Sequence, residues 1–487
     1  MKQKISVGIV DLSLRNKNDG YAIEFQRTRD GQKFVYLNGK EISLDDYAAF
    51  AKRKKERVYE PFVRYKTLTV QEIEDLISGT EPVHIFLQEE DSTKLDDSYY
   101  HYSIIFSYSG VNDLHSLGFK GDGVGIFYEE ECPNVGALNN NYFIQSGNCL
   151  NPETHSTKVA KLLQLTAPEA MIVNFMGFDV VVPSVLNNSN SFDSLLEIGS
   201  YSWHYVSSMC MDGVYCVKDQ ELDQHIYEDR MIYFVAAGNM SDTNDVYVGS
   251  PGKALNAITV GSVIPRTASF ASDSKWRNSE IQNQKPEIAN YTNFYLESLG
   301  MFNGTSAATP YSAAIAANIL SIDPGLKKHP EVVKSIFLMN ATNPIVDSRA
   351  HDRDDWFFVV SGIPHFDVNE GFRYRWWSGP NGSFFNNDEK IVFTETGVSS
   401  GLHCRAAISW LSSGTYAGEY KLLAQDLDLF VYQGSTELAN SASTYNPYEV
   451  VDFEVLSNAD LRFEIQRFSN SYSDDIVLGF SMRCDDE

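Results

Sequence analysis

Asn303-Gly304-Thr305-Ser306-Ala307-Ala308-Thr309-Pro310 opens a run of small residues that continues through Ala317. Gly304 permits a backbone turn closed to most residues. The Ala- and Ser-rich stretch behind it predicts a slender helix that packs deep against its neighbours. Pro310 is expected early in that helix, where a missing N–H costs little. A serine at the helix mouth sits at the positive end of the dipole, which favours a developing alkoxide. A hydroxyl alone is a weak nucleophile, so this segment needs a base and an oxyanion donor elsewhere in the chain. An ordinary core helix explains the serine but not the whole octapeptide.

Outward from this segment, apolar runs at 124–128, 170–175, 232–237 and 257–263 alternate with helical patterns at 155–165 and 307–321. Such alternation over 118–345 predicts an α/β domain with a parallel sheet between helices. After about 390 the texture changes to alternating Tyr/Val/Ile/Phe segments with Gly, Asn and Ser turns, for example 405–410, 426–432, 449–455, 461–466 and 476–482. That pattern predicts an all-β sandwich or jelly roll. Ahead of the α/β region, 1–115 mixes strands and helices. There Thr69-Val70-Gln71-Glu72 forms a capping box, Gly79 a C-cap and 83–87 a buried strand. The expected division is therefore 1–115, an α+β region; 116–348, the α/β domain; 349–394, a connecting segment; and 395–487, the β domain.

The chain has 487 residues, 39 Lys and Arg against 65 Asp and Glu, and a formal charge of −26. That charge argues against nucleic acid or an anionic membrane surface as partner. The basic run Lys52-Arg53-Lys54-Lys55 reads as a solvated helix face. The most membrane-like stretch, 311–322, is far shorter than the ~18–20 apolar residues of a spanning helix. The first residues lack a signal-peptide core, so the expected location is cytoplasmic unless a leader was removed. Six cysteines occur, at 132, 149, 210, 216, 404 and 484. They fall into local pairs as in an exported protein, but reduced thiols remain equally compatible and the connectivity stays open.

The octapeptide resembles the GTSxAxP nucleophile segment of the subtilisin-like serine peptidases. Thr154-His155-Ser156-Thr157-Lys158-Val159-Ala160 is similar to that family's HGTHVAG histidine helix, with Ser156 and Lys158 as departures. Phe234-Val235-Ala236-Ala237-Gly238-Asn239 resembles its AAGN segment, and Ser250-Pro251-Gly252-Lys253 and Lys285-Pro286-Glu287-Ile288 match further family segments in order. The acid strand, Gly121-Asp122-Gly123-Val124-Gly125-Ile126-Phe127-Tyr128-Glu129-Glu130, lacks the family's Asp-Thr-Gly. Ungapped alignment puts the acid on Glu130, and a one-residue deletion puts it on Glu129. Asp426-Leu427-Asp428-Leu429 resembles a segment of C-terminal jelly rolls in some subtilases. Calcium suits paired carboxylates, although aspartates alternating on a solvent face explain the same letters more simply.

The resemblance implies a subtilisin-like parallel sheet flanked by helices, followed by a jelly roll. It implies a serine endopeptidase that acts on protein or peptide substrates and requires no cofactor or metal. In it Ser306 attacks, His155 moves the proton, Glu130 orients His155, and Asn239 donates to the oxyanion. Ser202, Ala237 and Gly238 would line the substrate cleft. Residues 1–115 would take the place of an inhibitory propeptide, with a maturation cut near 88–118. A catalytically impaired scaffold that only binds peptides is the alternative.

Overall fold

The computed structural model describes the strands of the first 98 residues and most of 100–485; the longest gaps in the latter are 178–195, 347–358 and 367–371. Shorter gaps fall at 140–142, 146–150, 206–209, 211–212, 242–245, 266–268, 278, 343–344, 361–362, 365, 381–382 and 472–474, with 486–487 at the end. The helix expected at Thr69–Gly79 and the basic run at 52–55 lie outside the described residues.

The chain forms two compact units, Met1–Ser98 and Tyr99–Glu487. The first holds β1 (Ile5–Asp11), β2 (Phe25–Arg29), β3 (Gln32–Leu37), β4 (Lys40–Ile42), β5 (Phe62–Leu68) and β6 (Val83–Gln88). They form one sheet in the order β4-β3-β2-β6-β1-β5, with β1 antiparallel to both β5 and β6.

The second unit begins earlier than the change of sequence texture suggested. A short strand β7 (Tyr100–His101) and two helices, α1 (Tyr102–Tyr108) and α2 (Val111–Ser116), belong to it. The reason is burial: Ile105, Phe106, Val111 and Leu114 join the main hydrophobic core. Residues 99–115 thus separate from the N-terminal region in which the sequence reading placed them.

The central sheet contains β8 (Gly125–Glu130), β9 (Phe143–Gln145), β10 (Met171–Met176), β11 (Leu196–Tyr201), β12 (Ile232–Ala236), β13 (Ile258–Ile264), β14 (Ser269–Phe270) and β15 (Ile288–Tyr291). Their order is β14-β13-β12-β11-β8-β10-β9, with β15 also on β13. The pairs are parallel except β13 with β14, so the sheet is mixed rather than purely parallel. Strands β8, β11 and β12 are buried along their whole length, which explains the continuous apolar run of β12 in place of alternation. Around the sheet stand α3 (Thr154–Thr166), α4 (Val217–Asp229), α5 (Thr305–Ile322) and α6 (Pro330–Asn340). Helix α5 is buried almost all round, as a helix with little polar surface must be. Its proline lies past the first turn, so Ser306 loses the helical donor that would reach its carbonyl. The early placement expected for Pro310 does not hold.

A hairpin of β16 (Phe294–Leu296) and β17 (Gly300–Phe302) leads into α5, and β7 pairs with β16. Two small ladders follow: β18 (Ala341–Thr342) with β21 (Ile363–Pro364), and β19 (Ile345–Val346) with β20 (Val359–Val360). The rest of the chain supplies β22 (Arg373–Gly379), β23 (Lys390–Glu395), β24 (His403–Trp410), the short helix α7 (Gly414–Tyr420), β25 (Gln425–Gln433), β26 (Thr436–Ser441), β27 (Tyr448–Glu454), β28 (Leu461–Asn470) and β29 (Ile476–Asp485). These strands make two antiparallel four-stranded sheets, β22-β29-β24-β27 and β23-β28-β25-β26, which share a core that includes Ile408, Trp410, Leu429, Phe463 and Phe480. The sheets start at Arg373, ahead of the expected 395. Asp426 is buried rather than solvent-facing. Among the described residues, no group of three or more His, Cys, Asp or Glu is placed to hold a metal ion.

These sheets are knitted into the α/β part. Asn256 Nδ2 donates to Ser412 O at 2.8 Å, and Ser412 N donates back to Asn256 Oδ1 at 2.8 Å. Gly479 faces α6 so closely that a Cβ there would lie 2.6 Å from the Glu331 carbonyl. Disulfides join Cys210 to Cys216 and Cys404 to Cys484; Cys132 is also bonded, with its partner outside the described residues. No helix among the described residues is long and apolar enough to cross a membrane.

Candidate active site

Parallel strands bring their carboxyl ends to one edge of a sheet, where ligands of open α/β folds bind. Here β8 ends in Glu130, Ser202 follows β11, and Ala237-Gly238-Asn239 follows β12, on three adjacent strands. The first turns of α3 and α5 add His155 and Ser306.

The two faces of β8 give the two candidate carboxylates different partners. Glu130 Oε2 lies 2.7 Å from His155 Nδ1. Glu129 points the other way and accepts from Tyr201 Oη at 3.1 Å. Glu130 is 2% exposed, whereas the His155 side chain is 48% exposed. A carboxylate on Nδ1 fixes the tautomer that leaves Nε2 free to take a proton. Burial pushes the Glu130 carboxyl up, against the opposing pull of His155. For His155, burial acts downward, but the hydrogen bond and charge of Glu130 outweigh it and the net shift is upward. Phe302 presses against the imidazole edge-on, with ring centres 5.6 Å apart.

The Ser306 hydroxyl donates to Ser202 O at 3.1 Å. It makes no hydrogen bond to His155 among the described residues, a looseness common in ligand-free sites, where such contacts tighten once substrate is bound. The Ser306 N–H lies in the first turn of α5, where backbone donors have no helical acceptor.

Asn239 is held by Thr305, a residue within the serine motif to which the sequence reading gave no role of its own. Its Oδ1 accepts from Thr305 N at 3.0 Å and from Thr305 Oγ1 at 3.2 Å, so the amide N–H groups turn away from Thr305. Thr305 Oγ1 in turn accepts from Gly238 N at 3.2 Å. Gly304 is required beside this clasp: its φ is +71°, and a Cβ would lie 2.7 Å from Asn239 Nδ2. A second support, equally silent in sequence, is the buried contact of Tyr128 Oη with Ser156 Oγ at 3.3 Å.

The three residues expected to line the cleft fare differently. Ser202 presents its carbonyl at the site. Ala237 is fully buried; its N donates to Val260 O and its O accepts from Gly249 N, both at 3.0 Å. Gly238 donates to Thr305 and accepts from Lys275 N at 2.9 Å. Both therefore spend their backbone groups inside the protein and shape the wall, leaving strand-like pairing with a ligand to other residues.

A hydroxyl at a helix mouth, an imidazole held by a buried carboxylate and a side-chain amide thus gather at one sheet edge, the kinds of group that serine-hydrolase chemistry uses. Residues 137–356 match the model of the Subtilase family, Peptidase_S8, and hold His155, Asn239 and Ser306; Glu130 precedes the match. Over that region the chain is similar to subtilisin-like serine peptidases. The subtilase-type proteinase psp3 of Schizosaccharomyces pombe is 30% identical over 128 residues, 25% of this chain and 27% of the relative's own length. Among solved structures, the prenylagaramide maturation protease PagA is 19% identical, with a TM-score of 0.40, covering 53% of this chain and 96% of that one. MycP1 with its N-terminal propeptide removed is 14% identical, with a TM-score of 0.39, covering 55% and 98%. A serine protease of Aeromonas sobria is 12% identical, with a TM-score of 0.37, covering 76% and 90%.

Proposed function

We propose that this chain is a serine endopeptidase that cleaves protein or peptide substrates through an acyl-enzyme on Ser306. The observation that carries the reading is the 2.7 Å contact of His155 Nδ1 with buried Glu130, on the sheet edge that also receives Ser306. Substrate entry would displace the Ser306 hydroxyl from Ser202 O and turn it to His155 Nε2. His155 takes the hydroxyl proton as Oγ attacks the scissile carbonyl carbon. The resulting oxyanion accepts hydrogen bonds from Asn239 Nδ2 and Ser306 N. The C–N bond then breaks as His155 gives its proton to the departing amine. Water, deprotonated by His155, releases the acyl group and restores Ser306.

The same reading makes the Met1–Ser98 unit propeptide-like, the two C-terminal sheets a jelly roll, and the reaction free of any cofactor requirement. The bonded cysteines favour an oxidising compartment over the cytosol expected from the N-terminal residues.

Digestion of a mixed peptide library by the full chain, followed by mass spectrometry, tests the reading. Internal cleavage that disappears in Ser306→Ala is expected. Peptides that bind but remain whole with the native chain would make it a scaffold instead.

A further inference from the structure

We propose that Lys158 is a positioning residue for the reaction assigned to Ser306: its ammonium fastens the histidine helix to the strand that delivers the nucleophile and sets a positive charge beside His155. This rests on the peptidase reading above.

Lys158 lies three residues after His155 on α3, a spacing that puts both on one helix face. Its Nζ donates to Met301 O at 2.6 Å. Met301 belongs to β17, which passes through Phe302, Asn303 and Gly304 into Thr305 and Ser306. Phe302 meets the His155 ring on the same strand. Helix and strand are thus joined twice, once by a charge-assisted hydrogen bond and once by aromatic packing. A displacement of about 1 Å in such a frame is enough to cost ~10²-fold in rate.

The charge has a separate effect. Glu130 meets His155 from β8, the charge of Lys158 acts on it from its own helix while its Nζ is bonded to Met301 O, and β17 contributes the non-ionisable Phe302. Glu131, which follows β8, acts on Glu130 rather than directly on the imidazole, and Tyr128 on β8 is itself raised by burial and by the charge of Glu130. Glu130 therefore favours the imidazolium and Lys158 opposes it. By opposing it, Lys158 keeps the base neutral at a lower pH than Glu130 alone would allow.

Two readouts on the full chain test this: titration of His155 by NMR with labelled histidine, and the pH dependence of labelling by a small fluorophosphonate. Lys158→Met is expected to raise the His155 midpoint and move the acid limb of labelling with it. Lys158→Arg should keep the native midpoint. Should Lys158→Met fail to fold, Lys158→Gln keeps a polar donor without the charge and must show the same upward midpoint. An unchanged midpoint in the uncharged variants, or an equal shift in Lys158→Arg, overturns the inference. Absence of labelling in the native chain at every pH would instead overturn the peptidase reading, while the histidine titration still reports on Lys158.

Discussion

Glu130 is one methylene longer than aspartate, yet its Oε2 reaches His155 Nδ1 at 2.7 Å because β8 carries it to the end of the strand. Glu130→Gln would present an amide to Nδ1 and favour the wrong imidazole tautomer, so kcat is expected to fall ~10⁴-fold while the fold persists. The same carboxylate sets the pH response. His155 titrates above its ordinary 6.5, so the acid limb of kcat/KM should lie above pH 6.5, with activity rising as the imidazole loses its proton. With Asn239 in the proposed role of oxyanion donor, Asn239→Ala should lower kcat ~10²–10³-fold, the range established for such a donor in a subtilisin. Ser306, His155 and Asn239 could be singled out from sequence because each sits in a short local motif. The choice between Glu129 and Glu130 was not, since it depends on which face of β8 meets Tyr201 and which meets α3. Thr305 and the Tyr128–Ser156 pair join helix to strand or loop through tertiary packing, and no local spacing announces them.

At the scale of elements, apolar runs located β8, β10, β12 and β13 to within a residue or two, but not β9, β11, β14 or β15. The sequence reading missed that β14 turns back antiparallel on β13 and that β7, α1 and α2 belong to the second unit. Both follow from tertiary burial, which a short window does not register. It also set Asp426 on a solvent face; the strand instead buries it beside Asp428 and Glu449. Burial, with the charges of those two aspartates, pushes the Glu449 carboxyl up from 4.5 to about 8. A raised carboxyl stabilises the fold fully below pH 4.5, and that stability is lost as the pH climbs towards 8. The melting temperature should therefore fall across this window, and Glu449→Gln should flatten the fall. Differential scanning calorimetry at stepped pH measures it; an unchanged slope in the variant contradicts the assignment.

For the molecule as a whole, the C-terminal sheets are part of one compact unit with the α/β sheet. Helix α6 is buried along its whole length, with Gly479 of β29 against its backbone and Arg483 Nη1 on Asn340 Oδ1 at 3.3 Å. A chain ending before Arg373 would expose that helix. Its near-ultraviolet circular dichroism should show lost tertiary packing; a cooperative melt like that of the full chain would contradict this. The central claim concerns Ser306, and intact-mass spectrometry after fluorophosphonate treatment, with peptide mapping, tests it most directly. One adduct on Ser306, absent in Ser306→Ala and slowed in Glu130→Gln, is the result expected. A native chain that stays unmodified, or an adduct on another residue, would contradict the account.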